Sequence, residues 1–205
     1  FLTQNFKGIR VKAFEPIFDP KVASLMDFYQ TEDPCESTFF YVLPYSRHEA
    51  LIEYTRFSAE LDSSESYDPF IEKYLEEKYG LSNFEILETE IGVIPMTDFH
   101  YQARPHPRVF QIGTVAGDTK PTTGYTFHFI QKRSKEIIRN LASSKNVEKQ
   151  STPSRFRFYD ALLLSIMLRK PQKVKEVMFT LFSKVSLPLI LKFLDERTSV
   201  WEEVL

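Results

Sequence analysis

Ile9, Val11 and Ala13 alternate with Arg10, Lys12 and Phe14, whereas from Phe156 onward apolar residues recur every third or fourth position. This change of period, from two to about 3.6, constrains the fold most, because one period serves a half-buried strand and the other an amphipathic helix. Gly8–Phe14 therefore reads as a strand ended by Pro16 and Pro20. Thr38–Leu43, rich in aromatic and β-branched residues, reads as a second strand. Pro44–His48 is a short connection, and Glu49–Ser58 is a third strand paired with the second as a hairpin. Asp68-Pro69 marks a helix start, with Asp68 as N-cap, and Gly80 suits its C-terminal cap. Phe84–Ile94 is a further strand ended by Pro95, and Val109–Gly113 a short one. A helix runs from near Gly124 to about Leu141. Beyond a polar linker, Phe156–Leu168 is a helix, Pro171 opens another, and Ser186 with Pro188 opens a third.

The expected class is α+β, a mixed or antiparallel sheet followed by a helical C-terminal region. The expected division is a β-rich region over 1–112, a loop and helix over 113–141, a linker over 142–154 and helices over 155–205.

Composition narrows the function classes. The single cysteine, Cys35, allows no internal disulfide and fits a reducing compartment. No apolar run reaches the roughly 18 residues of a membrane span. The 19 Phe and 10 Tyr either fill a core or line a cavity for a large apolar ligand. Charge is divided along the chain: residues 1–130 hold 11 Lys/Arg against 20 Asp/Glu, and residues 131–192 hold 14 against 4. The basic stretch either meets an anionic surface, nucleic acid or membrane headgroups, or is a solvated helix face.

Two segments carry chemistry. Glu53 shares its strand face with Leu51, Thr55 and Phe57. On an apolar face a carboxyl stays protonated to higher pH, as a general acid requires. The same residue on a solvent face, or paired with Arg56, would be an ordinary surface carboxylate. The stretch Ile112–Tyr125 holds Gly113, Gly117 and Gly124. It is either a loop whose backbone approaches a ligand closely or an ordinary strand-to-helix connection. His48, His100, His106 and His128 have no metal-ligand spacing. No GxGxxG, GxSxG or P-loop motif is present.

Taken in order, these segments resemble the lycopene cyclase family. Phe40–Ser46 followed by Glu49–Thr55 is similar to that family's strand pair with its catalytic carboxylate motif. Gly92-Val93-Ile94-Pro95-Met96 is similar to its G-x-I-P-M segment, and Ile112–Tyr125 to its flavin-contacting loop. Arg155–Asp160 and Phe193–Ser199 also have counterparts there. The resemblance implies a flavoprotein substrate domain with a fold like that of the geranylgeranyl reductases and aromatic hydroxylases. It implies FAD, used reduced, with NAD(P)H as reductant. Gly113, Thr114, Gly117, Pro121, Thr123, Gly124 and Tyr125 would contact it. In the wider fold group an Asp follows the first loop glycine and meets the ribityl chain; Thr114 stands there. Plant members have Glu-Glu-Thr where this chain has Glu53-Tyr54-Thr55, so only Glu53 is available as the acid.

The implied activity is an isomerase (intramolecular lyase) reaction that closes the ψ-ends of lycopene, or a related acyclic carotene, to β-rings. Such a substrate lives in the bilayer. The expectation is thus an enzyme that is cytoplasmic, peripheral to the inner face of the membrane, docked through basic Phe-rich helices, with no nucleic-acid partner. The chain opens on Phe1 and lacks the glycine-rich FAD fingerprint. A dinucleotide-binding half is expected before it, and this portion alone is expected to bind FAD poorly and not to turn over. Two alternatives are compatible with the sequence. One is an FAD-dependent isoprenoid reductase or aromatic hydroxylase of the same fold group. The other is a non-catalytic lipid-binding module.

Overall fold

A computed structural model describes residues 2–29, 37–60, 64–101, 104–106, 108–143 and 153–204. Strands β1 (Leu2–Ala13), β2 (Ser24–Asp27), β3 (Ser37–Pro44), β4 (Glu49–Ser58) and β5 (Phe84–Met96) form one sheet in the order β2-β3-β4-β1-β5. Helix α1 (Asp68–Tyr79) sits between β4 and β5 in sequence. Helices α2 (Phe127–Ala142), α3 (Ser154–Arg169), α4 (Val174–Lys184), α5 (Leu187–Leu194) and α6 (Val200–Val204) follow. The class is α+β, as the two periods require.

The chain separates into two compact units. One comprises Phe1–Pro95 with Met167–Lys175, the other Met96–Ile166 with Glu176–Leu205. The sequence division placed residues 96–112 with the strands and 167–175 with the C-terminal helices.

In the first unit β3 and β4 pair antiparallel with Tyr41 opposite Glu53, and β4 pairs antiparallel with β1, placing Gly8 opposite Glu53. The even-numbered side chains of β3 and β4 face α1. Phe40 stacks on Tyr74 with ring centroids 3.9 Å apart, and Tyr54 stacks on Phe70 at 5.1 Å. Phe40, Tyr54 and Tyr74 make the core with Ile9, Val11, Ile52 and Leu75, while Phe70 caps it from the exposed side. Tyr74 donates its hydroxyl to Asp27 at 2.8 Å, which satisfies a buried polar tip. Burial pushes that phenol up from its ordinary pKa.

Several boundaries differ from the sequence expectation for physical reasons. Pro95 does not end β5, which runs to Met96; β5 is an edge strand, where a missing ladder N–H is tolerated. Asp68 is not the N-cap of α1. Tyr67 holds that place without a side-chain cap, and Asp68 instead takes an ion pair from Lys7 at 2.6 Å. Gly80 does close α1 in the left-handed conformation, φ 64°. Val109–Gly113 is not a strand. It contributes one bridge, His106 to Val109, and Gly113 at φ 76°, ψ −155° cannot continue a ladder. Helix α2 starts at Phe127 because Gly124 is itself left-handed, φ 71°. Cys35 and most of the 142–154 linker lie outside the described residues.

The second unit joins two sequence segments far apart in the chain. Phe156, fully buried, packs on Phe193 with centroids 5.7 Å apart. Arg155 meets Glu203 at 3.1 Å and the Thr198 carbonyl at 2.7 Å, and Tyr159 donates to Glu203 at 3.0 Å. Arg155–Asp160 and the region around Phe193–Ser199 thus form one packed and hydrogen-bonded cluster. Among the described residues no helix is long and apolar enough to cross a membrane, and no group of acidic, His or Cys side chains forms a metal cage.

Candidate functional site

Glu53 stands in the middle of β4 on the sheet face away from α1, with Leu51, Thr55 and Phe57. Tyr41 and Gly8 are its cross-strand neighbours, so the same face carries Phe39 from β3 and Phe6 from β1. Phe39 meets Tyr41 and Phe57 edge-on, at 5.3 and 5.2 Å between centroids. Of the aromatics flanking Glu53 in sequence, Phe39, Tyr41 and Phe57 share its face. Phe40 points the other way into the α1 core, as strict strand alternation requires. Tyr45 is exposed beneath the Arg10 guanidinium, 4.8 Å from its ring.

This setting changes the acid. Burial pushes the Glu53 carboxyl up to about 7, and the neighbouring Glu90 carboxylate adds to the rise. Thr55 opposes it by donating its hydroxyl to Glu53 Oε1 at 2.8 Å. Burial outweighs that hydrogen bond, so near neutral pH a large fraction of Glu53 is protonated and able to give a proton. Arg56, three residues along the strand, points to the opposite face and is not among the groups that shift the Glu53 carboxyl.

The loop before α2 is built on three glycines with positive φ. Gly113 occupies a backbone region open essentially to glycine alone. Its N–H donates to Asp118 Oδ2 at 2.9 Å, while Asp118 N–H donates to the Gly113 carbonyl at 3.0 Å, closing a tight ring. Gly117 at φ 68° ends the 3-10 turn Thr114–Ala116. A chain of hydroxyls then ties the loop to α2. Thr126 donates to the Gly124 carbonyl at 2.9 Å, so its oxygen must accept from Thr119, and Thr119 must accept from Thr114. Thr114 therefore spends its only proton inside the loop and keeps lone pairs with which to accept. Gly113→Ala is expected to cost about 1–3 kcal/mol, since alanine would be forced into that region. Thermal unfolding of the purified variant measures it.

Lys120 turns inward from the same loop. It is 3% exposed and meets Asp160 Oδ2 at 3.1 Å and Glu196 Oε1 at 3.3 Å, while Thr122 donates to Asp160 Oδ1 at 2.7 Å. The loop is thus bolted to α3 and to the turn after α5. Beside it opens a cavity of about 670 Å³, walled in part by Phe99, Tyr101, Pro121, Arg157 and Phe158. That size suits a drug-sized or cofactor ring system, and its wall combines aromatic faces with a guanidinium.

Against known proteins, the family described as lycopene cyclase protein matches residues 1–205, the whole chain. The chain belongs to the lycopene cyclase family. No functionally curated protein matches it. Among solved structures it is similar to a geranylgeranyl bacteriochlorophyll reductase-like protein from Thermoplasma acidophilum, with a TM-score of 0.53 and 12% identity. The likeness covers 80% of this chain and 39% of that one, and it is a likeness of fold.

In this member of the family Gly113, Thr114, Gly117, Pro121, Thr123, Gly124 and Tyr125 lie in one hydrogen-bonded loop of the second unit, and Glu53 lies in the first unit. Sequence reasoning missed Glu90, and it missed the Lys120–Asp160–Glu196 cluster. For Glu90 the signal is Gly8, which the structure places inside β1 but which the alternating pattern left at the start of its strand, where a glycine marks nothing. For the cluster no local signal exists.

Proposed function

We propose that the protein carrying this chain cyclises the ψ-ends of lycopene, or of a related acyclic carotene, to β-rings without net redox change. The observation that carries this reading is Glu53: a carboxyl held near pKa 7, half-buried among Phe39, Tyr41 and Phe57. Protonated Glu53 gives its proton to C2 of the terminal double bond. A tertiary cation forms at C1, the C5–C6 double bond attacks it, and the six-membered ring closes. Loss of a proton from C6 leaves the β-ring, so atoms and electrons balance within one substrate. The aromatic face offers π electrons to the passing cation and keeps water away from it. Thr55 fixes one carboxyl oxygen and so orients the acid.

The loop fits a flavin. Its three glycines at positive φ shape the backbone, Thr114 has lone pairs left to accept with, and Lys120 locks the segment bearing Pro121, Thr123 and Gly124. These residues, with Gly113, Gly117 and Tyr125, would hold FAD. When bound and kept reduced by NAD(P)H, it would supply electron density to the cation without transferring hydride. The basic Phe-rich helices are the proposed docking face toward a membrane surface.

The test is pigment. The whole protein is expressed in bacteria engineered to accumulate lycopene, and extracts are read by chromatography. β-Carotene replacing lycopene is expected. Lycopene left unchanged by soluble, flavin-loaded protein would overturn the reading, and a saturated product would favour a reductase.

A further inference from the structure

Two glycines interrupt the paired strands β1 and β5, and each lies under a side chain from the other strand. A Cβ at Gly92 would fall 2.3 Å from Cζ of Phe6, and a Cβ at Gly8 would fall 2.8 Å from both Cγ and Oε1 of Glu90. Gly8 is also the cross-strand neighbour of Glu53 on β4. The three positions therefore line up across the sheet, with the middle one empty of side chain. Glu90 lies over that gap, with Glu53 on its other side, and its carboxylate adds to the rise of the Glu53 pKa.

We infer that Glu90 is a positioning residue for Glu53: it crosses the gap at Gly8 so that the two carboxyls hold one proton between them. This rests on the proposed cyclase reading and assigns a second carboxyl to its acid.

The physical reason is like charge. Two carboxylates in contact are costly to ionise together, so the pair keeps a proton at a pH where a lone carboxylate would have lost it. The other charged and titratable groups on this face do not cancel the effect. Arg10 is engaged by Glu49 at 2.8 Å and faces Glu88 as well, and it does not enter the balance at Glu53. Tyr41, opposite on β3, brings no charge near neutral pH. Lys7 points to the α1 face, paired with Asp68. Glu90 is exposed while Glu53 is half-buried. The outer member therefore carries the charge, and the inner member, on the aromatic face, carries the proton.

The experiment uses the whole flavin-loaded protein and three variants, Glu90→Gln, Gly8→Ala and Glu53→Gln. The protonated carboxyl is followed by infrared spectroscopy through a pH series and assigned by its loss in Glu53→Gln. Lycopene cyclisation is followed over the same series. In the parent the carboxyl midpoint is expected near 7. In Glu90→Gln it is expected to move acidward by about one pH unit, with the alkaline limb of turnover moving alongside. Gly8→Ala should do the same, because the new methyl would meet Cγ, Cδ and Oε1 of Glu90 and so displace that exposed side chain; thermal unfolding of the variant checks that it is folded. An unmoved midpoint in both folded variants overturns the pairing, whatever happens to activity. A moved midpoint with an unmoved turnover profile overturns the positioning role. If instead the midpoint moves and Glu53→Gln still cyclises at the parental rate, the pair stands and the cyclase role of Glu53 falls.

Discussion

Glu53→Gln is expected to lower cyclisation by about 10²–10⁴-fold, the span that a positioned proton donor contributes. The substitution keeps shape and polarity. The glutamine carbonyl still accepts from Thr55, whose hydroxyl lies 2.8 Å from Glu53 Oε1. What it removes is the transferable proton, and the aromatic face offers no replacement, because Tyr41 is far too weak an acid near neutral pH. Single-turnover assays in lycopene-loaded vesicles, with flavin content measured alongside, check the result. Unchanged flavin content with turnover gone is the expected pattern. Parental turnover would remove the proton source on which the mechanism depends.

The same substitution has a second signature, of opposite sign, in stability. Glu53 titrates near 7 when folded against an ordinary value of 4.5. A raised carboxyl pKa means that the fold prefers the neutral form. Its contribution is complete below about 4.5, falls between 4.5 and 7, and is gone above 7. Glutamine is neutral throughout. Glu53→Gln should therefore match the parent at pH 4 and exceed it by about 2–3 kcal/mol at pH 8, less whatever solvent screens at this half-buried site. Denaturant unfolding at the two pH values measures the difference. A residue that weakens the fold at working pH while serving the chemistry is the expected trade of stability for function.

How far such a residue is legible in sequence depends on how local its cause is. The face of Glu53 followed from alternation alone, since Leu51, Thr55 and Phe57 are two residues apart along one strand. The β3–β4 hairpin and the Gly80 cap were legible for the same reason: each is fixed by a few adjacent residues. Strand β2 was not. It has four residues, Met26 sits at φ 53°, and its register with β3 shifts between Ser24 and Asp27, so it leaves no period to read. Pro95 misled because whether proline ends a strand depends on whether that strand is an edge, which is a property of the sheet. Phe40 and Phe39 differ by one residue and face opposite ways, so counting aromatics near Glu53 could not replace the register. Glu90 lies 37 positions beyond Glu53 and is brought to it only by β1 lying between β4 and β5.

Lys120→Met is expected to destabilise the protein by about 3–5 kcal/mol, the cost of stranding buried charge when one partner of an ion pair is removed. The substitution leaves Asp160 and Glu196 facing each other in a site where their side chains are 5% and 11% exposed. Thr122 satisfies one oxygen of Asp160 and cannot neutralise it. Glu196 adds its own strain, holding a left-handed backbone at φ 58° that a non-glycine residue keeps only when its surroundings demand it. With the lysine gone that demand disappears, and the turn after α5 and the Gly113–Gly124 loop should loosen together. Hydrogen exchange should accordingly quicken at Gly124 and at Arg197, whose amides donate to the carbonyls of Lys120 and Lys192. Removing the whole charged set tests the cause. In Lys120→Met with Asp160→Leu and Glu196→Leu no charge is stranded, and most of the lost stability should return. If the triple variant unfolds as readily as Lys120→Met, the loss lies in packing of the lysine stem, and the electrostatic account of this cluster is wrong.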